Sequence, residues 1–266
     1  MISNRREVVG LPAADYHADP ALSRSDLKGL LDHPRKWAYR KEYPKGPTPA
    51  LALGTAFHAA VLEPDTLDDV AAALCEQRSE GNRRVFTAEH YDQVLAMAAA
   101  VQADPAAVQL LTGRREVSYF WDLTLPVRGG SLYTFACKAR PDVTGDGWLC
   151  DLKTTDTPNE WLFASDAEKY GYALQDPWYT MGATGQVPDV ICASSPRFIF
   201  LAVEKDPPYL LHAYELPASW RLAAWEQCRQ ALLAWHRLTT AEPGTREPFQ
   251  ITELTRPRWA ATKEGP

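Results

Sequence analysis

The sequence has no run approaching the roughly 18–20 apolar residues that a bilayer-spanning helix needs, and its first residues lack the apolar stretch of a secretion signal. A cytoplasmic protein is therefore expected. Paired cysteines are also missing. Cys75, Cys137, Cys150, Cys192 and Cys228 lie far apart and never form a CxxC, which argues against a zinc ribbon or an obvious iron–sulfur ligand set and leaves free thiols as the simple reading. Positive charge is in short supply: 28 Lys and Arg against 34 Asp and Glu give a net charge of −6. That argues against a surface coated in positive potential and leaves room only for a local basic groove facing a polyanion. Repeats, low-complexity tracts and linker-like stretches are absent as well.

What is present is apolar material, 45% hydrophobic residues with nine tryptophans, enough for a substantial core. One domain over residues 1–266 is expected, with a mainly helical part over 1–112, a strand-rich core over 113–240 and an extended tail over 241–266. Ser23 followed three residues later by Asp26 resembles a capping box and opens a helix over 26–31. Pro34 suits the first turn of a second helix carrying Arg35, Trp37, Tyr39 and Arg40. The segment LALGTAFHAAVL, 51–62, is apolar nearly all round and reads as a buried helix, and an amphipathic helix is expected over 87–102. Three sequential strands joined by tight turns follow at 116–125, 132–143 and 148–153, interrupted by Gly129-Gly130 and Gly145-Asp146-Gly147. A helix is expected around 166–183, strands at 198–204 and 209–215, and a last helix over 218–238. The fold class is α/β (α+β), a central mixed sheet flanked by helices.

Chemistry concentrates in KARPDVTGDGWLCDLKTT, 138–155. Asp142 ends one strand, the turn reverses the chain, and Asp151 and Lys153 fall two apart on the next strand, so they share a face while Leu152 points into the core. Two carboxylates brought close repel each other and persist best around a cation, and hard oxygen ligands favour Mg2+ or Mn2+. The main-chain carbonyl of Leu152 is a further candidate ligand. Lys153 beside them is placed to orient an attacking water and to offset charge on a phosphate. The bland alternative is a solvated hairpin with a cross-strand ion pair. Gly54 stands one turn before His58 and opens space where the imidazole projects, although a buried histidine is more often a satisfied core residue. Gln175 and Tyr179 are also one turn apart, but Pro177 between them would kink a helix interior unless the helix begins there with Asp176 as its cap.

Taken in order, GxxxH, PD before a turn, DLK on the next strand and QxxxY resemble the RecB-type branch of the PD-(D/E)xK nucleases. More narrowly, LSRSDL at 22–27, His33-Pro34, LALGTAFHAAVLEP at 51–64, CKARPD at 137–142 and Pro257-Arg258-Trp259 resemble the phage and prophage exodeoxyribonuclease VIII (RecE-type) exonucleases. The resemblance implies a restriction-endonuclease-like core with His58, Asp142, Asp151 and the Leu152 carbonyl on two Mg2+ ions, for which Mn2+ substitutes. It makes Lys153 the catalytic lysine, with Gln175 and Tyr179 supporting. It further implies 5′-to-3′ degradation of linear duplex DNA to leave 3′ single-stranded tails for recombination, a single-strand annealing protein as partner, a ring-shaped homo-oligomer, and the host cytoplasm as its place if the chain is phage-encoded.

Candidate DNA contacts are Arg24, Ser25, Lys28, Arg35, Arg140 and Thr154. The basic stretch from Lys28 to Lys45 is interleaved with Trp37, Tyr39 and Tyr43, a composition suited to phosphates though equally that of a solvated helix face. Glu116, opening the first strand, could approach the metals, although a structural role is the preferred reading; Glu63 is read likewise, since it follows His58 by five residues and faces partly away from it on a regular helix. Two alternatives stand beside the exonuclease: a noncatalytic DNA-binding or recruitment module, and a single-strand or structure-selective nuclease on the same fold.

Overall fold

The computed structural model describes residues 1–79, 81–156, 159–188, 195–241, 253 and 255. The chain opens with strand β1 (Ile2–Val8) and continues through helices α1 (Ala13–Ala18), α2 (Arg24–Asp32), α3 (Pro34–Glu42), α4 (Pro49–Leu62), α5 (Leu67–Glu76), α6 (Ala88–Ala103) and α7 (Pro105–Leu110). Strands β2 (Arg114–Arg115), β3 (Ser118–Pro126), β4 (Leu132–Ala139), β5 (Val143–Thr144) and β6 (Trp148–Thr155) follow. Then come α8 (Glu160–Lys169), α9 (Gln175–Thr184), β7 (Arg197–Glu204), β8 (Leu211–Glu215) and α10 (Ala218–Thr240).

Local chemistry sets several of these boundaries. Thr48 and Thr87 cap α4 and α6 through their hydroxyls, which accept from Leu51 N at 3.2 Å and His90 N at 3.4 Å, and Pro49 occupies the first turn of α4, where its missing N–H costs nothing. At α2, Asp26 Oδ2 accepts from both the backbone N (2.9 Å) and the hydroxyl (2.6 Å) of Ser23, so the short acid closes the box.

The strands divide into two sheets, one of order β1-β3-β4 and one of order β2-β5-β6-β7-β8. All neighbours are antiparallel except β6 and β7, which run parallel and are joined through α8 and α9. Both are buried on both faces, as parallel strands require. Cys150, Leu152, Leu201 and Val203 pack under α4, α5 and α6, whereas Leu149, Phe198, Phe200 and Ala202 pack against Phe163 of α8. A third apolar cluster fills the space between the smaller sheet and α2, α9 and α10, with Leu27, Trp121, Trp178 and Leu232 fully or almost fully buried.

Three expectations need correction. The three sequential strands do not form one sheet, because β3 and β4 take β1 as their neighbour and the chain leaves that ladder at Arg140-Pro141. The helix expected over 166–183 is broken at Gly171, whose φ of +67° no helix can continue. Pro177 then falls in the first turn of α9, which begins at Gln175 with Leu174 and not Asp176 as its cap, so the proline disrupts nothing. Finally, the helical first part carries an unexpected strand, β1. Apart from residues 241, 253 and 255, the expected tail with its Pro257-Arg258-Trp259, like Cys192, lies outside the described residues.

In the first turn of α9, Asp176 is fully buried and accepts from Arg221 Nε of α10 at 2.7 Å. Burial nevertheless pushes its carboxyl from the ordinary 3.8 to about 6. A folded carboxyl that holds its proton more tightly than the unfolded one contributes stability that is complete below pH 3.8 and lost as pH rises through about 6. Chemical denaturation of the wild type and Asp176→Asn across that range is expected to show the variant gaining on the wild type as pH rises. A difference independent of pH would contradict the assignment.

Candidate active site

The parallel pair β6–β7 brings the candidate residues to one end of the larger sheet. Its neighbour β5 is short: Thr144 pairs with Leu149 and Val143 with Cys150, and the ladder then stops. Continuing that register places Pro141 opposite Leu152, and a proline has no N–H to offer the Leu152 carbonyl. Side chains replace the missing pair. Asp142 Oδ2 accepts from Leu152 N at 2.6 Å, and His58 Nε2 lies 3.1 Å from Leu152 O. The Leu152 peptide thus ties the strand to α4, with His58 one turn beyond Gly54. A Cβ at Gly54 would meet nothing within 4 Å, so this side of α4 faces an open cleft.

His58 Nδ1 is 3.5 Å from Asp142 Oδ1. Glu116 joins them: ligand atoms of His58, Glu116 and Asp142 all lie within 4.8 Å of one another. Of the two readings the sequence left for Glu116, the less favoured one, approach to the metals, is where the structure puts its side chain. It sits between β2 and β3 at a φ of +50°, a conformation rare for a residue with a side chain, and its N–H donates to Asp142 O at 3.0 Å. Neither feature leaves a trace in sequence pattern. Glu63, by contrast, is exposed at the end of α4 and is not in the cluster.

Electrostatics describe a site short of positive charge. Burial pushes the Glu116 carboxyl up to about 7, and the adjacent Asp142 pushes the same way. For Asp142, burial opposes ionisation, but His58, Lys153 and the Leu152 N–H outweigh it and hold the pKa down. His58 is the converse case: burial lowers its pKa and Asp142 more than restores it. One imidazole and two carboxylates, with the Leu152 carbonyl beside them, form a nitrogen-and-oxygen donor set suited to a divalent cation such as Mg2+ or Mn2+. The upward shifts of His58 and Glu116 both reflect the concentration of negative charge that such a cation would offset.

Asp151 and Lys153 share the other face of β6, as strand alternation predicts. Asp151 is buried outside the tight triplet: its Oδ1 accepts from Gln175 Nε2 at 2.6 Å and its Oδ2 contacts Lys153 Nζ. Gln175 Nε2 also lies 3.3 Å from Tyr179 Oη, and the buried Gln175 Oε1 has no protein partner among the described residues. The α9 pair therefore steadies Asp151. Burial lowers the Lys153 ammonium to about 7, against the pull of Asp142, and the side chain reaches 3.3 Å from Leu152 O and 5.0 Å from the Tyr172 ring.

The cleft has two adjoining parts that share His17, Arg24, His58 and Glu116, one of about 1000 Å3 running toward Ser25, Lys41 and Asp142, the other of about 950 Å3 toward Gly54, Lys153 and Thr154. Arg24, Ser25 and Thr154 therefore border the candidate metal site. Arg140 lines it too, but its guanidinium donates to Ser118 Oγ (2.8 Å) and Leu11 O (2.9 Å) and lies 3.8 Å from Glu116. It acts as a brace for Glu116 more than as an open phosphate donor. Lys28 contacts Asp32 on its own helix, and Arg35 lies on the exposed face of α3, which lines a different groove.

A family model described as a PDDEXK-like domain of unknown function (DUF3799) matches residues 23–251. No curated protein matches the sequence. Among solved structures, one named "Putative exonuclease" from Eubacterium rectale is 15% identical, covering 97% of this chain and 100% of its own, with a TM-score of 0.65. Another, SSO0001, is 12% identical over 85% of this chain and 80% of its own, at a TM-score of 0.36. At these identities the first likeness speaks to the fold, and the second carries no argument.

The crowding of Glu116 against Asp142 generates a test. Without divalent ions, Glu116→Gln relieves repulsion, so its melting temperature is expected to equal or exceed that of the wild type. With Mn2+ added, the wild type is expected to rise and the variant to rise much less. An equal Mn2+-induced rise in both proteins would remove Glu116 from the donor set.

Proposed function

The chain belongs to the PDDEXK-like family, and on that premise we propose that it is a metal-dependent nuclease that hydrolyses the phosphodiester bonds of linear duplex DNA. One observation carries the reading: the His58, Glu116 and Asp142 donors meet at the Leu152 peptide, one residue from a buried carboxylate and lysine on the same strand. The name given to the structural relative from Eubacterium rectale favours attack from a DNA end.

In this reading His58, Glu116, Asp142 and the Leu152 carbonyl would hold Mg2+, for which Mn2+ would substitute, and the resemblance implies a second ion. A cation held there would supply a lowered pKa for bound water and positive charge against the phosphate. Hydrolysis adds water oxygen to phosphorus, breaks the bond to the leaving oxygen, and returns a proton to that oxygen. Lys153, with a pKa near 7, is suited to hold the attacking water or to donate to a phosphate oxygen as charge builds there. Gln175 keeps Asp151 oriented, Tyr179 supports Gln175, and Arg24, Ser25 and Thr154 are placed along the cleft to contact the phosphate backbone.

The finer reading follows from the resemblance in the sequence. Cutting proceeds 5′ to 3′ and leaves 3′ single-stranded tails, on which an annealing protein loads during phage-type recombination in the host cytoplasm. A ring-shaped homo-oligomer enclosing the duplex would reconcile a net charge of −6 with a basic inner channel. Among the described residues no helix is long and apolar enough to cross a membrane.

Linear duplex labelled separately at each 5′ and 3′ terminus, incubated with Mg2+, is expected to lose its 5′ labels first. Asp142→Asn and Lys153→Ala are each expected to slow release by on the order of 10²–10³-fold, the scale of removing one transition-state contact. Absence of cleavage, or undiminished cleavage by Asp142→Asn, rejects the nuclease reading. Digestion of closed single-stranded circles would replace it with a structure-selective nuclease.

A further inference from the structure

Helix α3 has no buried residue, yet it is firmly placed. Trp37 anchors it: the indole N–H donates to Asp26 at 3.0 Å, and its ring lies so close to Gly29 of α2 that a Cβ there would come within 2.7 Å of it. Lys41, on the same side, pairs with Asp26 at 2.6 Å and borders the active-site cleft. With those two residues turned inward, Tyr39 and Tyr43 stand exposed on the opposite, outer side.

That outer face combines exposed aromatic rings with cations. Tyr39 and Tyr43, one turn apart, are 63% and 55% exposed, with ring centroids 4.8 Å apart and planes inclined by 34°. Arg35, Lys36, Arg40 and Lys45 surround them and line, with the two rings, a groove of about 1110 Å3. The stretch 35–46 contains a single acid, Glu42, in a chain whose overall charge is −6. Cations alone on a helix face would mark solvated surface, and exposed rings alone would mark nothing. Together they combine the two elements that bind unpaired nucleic acid, positive charge for phosphates and flat aromatic faces for bases. Duplex bases are already stacked within the helix and offer their faces only at an end, so the rings favour single-stranded over duplex DNA.

We infer that the outer face of α3 is a binding platform for an unpaired stretch of DNA, with Tyr39 and Tyr43 stacking on bases and Lys36 and Arg40 contacting the phosphates between them. The platform deepens the nuclease reading and takes its choice of DNA from it. Through Lys41 it adjoins the cleft that holds Asp142, so a strand separated from the duplex at the cleft has a surface to follow.

The test uses the full chain in chelator, so that nothing is cut, and fluorescence anisotropy with a labelled oligothymidylate of about 12 nucleotides, within the span such sites cover. Tyr39→Ala with Tyr43→Ala is expected to weaken single-strand binding by about tenfold or more, the scale of losing stacked bases, while duplex binding changes far less. Tyr39→Phe with Tyr43→Phe is expected to retain binding. Lys36→Gln with Arg40→Gln is expected to make the slope of log affinity against log salt shallower by roughly 1.4, two phosphate contacts on a single strand. Unchanged oligothymidylate binding in the double alanine variant overturns the platform, as does an equal loss for duplex. Cleavage of duplex in Mg2+ is scored separately, so loss of the platform with cutting intact, or binding by the platform in a protein that never cuts, tells the two readings apart.

Discussion

The arrangement depends on one interrupted strand pairing. A buried strand must satisfy both groups of every peptide, and at Leu152 the neighbouring strand supplies neither, because Pro141 stands where a donor is required. The N–H is taken by Asp142 and the carbonyl faces His58, so two side chains from different parts of the chain are fixed by the same unmet backbone requirement. The proline and aspartate of the PD pair thus act jointly: one withholds a hydrogen bond, the other provides a different one in its place.

Around that point the two faces of β6 carry different work. One face roots the strand in the apolar layer beneath α4, whose small and apolar side chains allow the helix to lie close and deliver His58. The opposite face carries Asp151 and Lys153 against the aromatic layer of Phe198, Phe200 and Tyr172 and under Gln175. Low polarity on both sides is what allows a few charges to perturb one another so strongly: Glu116 is pushed up, Lys153 down, and Asp142 is kept ionised by its cationic neighbours.

Much of this was legible in the sequence, where the signal is local. Alternation along 148–153 put Asp151 and Lys153 on one side, and helical spacing put Gly54 beneath the His58 side chain. The hairpin turn brought Asp142 back toward the strand. Glu116 could only be ranked second as a metal neighbour, because its placement depends on a left-handed backbone at a non-glycine residue and on a hydrogen bond to Asp142. Strand β1 was missed because ISNRREV is mostly exposed, lacks apolar alternation, and owes its conformation to a partner more than a hundred residues away. Gly171 and Pro177 were visible, yet only their combination shows that one expected helix is two, with the proline harmless at the start of the second.

That distant partner has a consequence for how the molecule is assembled. Strand β1 leaves the ribosome with the helical segments behind it, yet its hydrogen-bonding edge has nothing to pair with until β3 has been made. At ordinary synthesis rates the delay is roughly ten seconds. The sheet that seats α9 against the catalytic strand therefore closes late, across a long loop, after α4 to α7 have had time to collect into their own apolar layer. The polar, charge-rich composition of β1 is well matched to that wait, since an apolar edge left open for so long would invite pairing with the wrong chain.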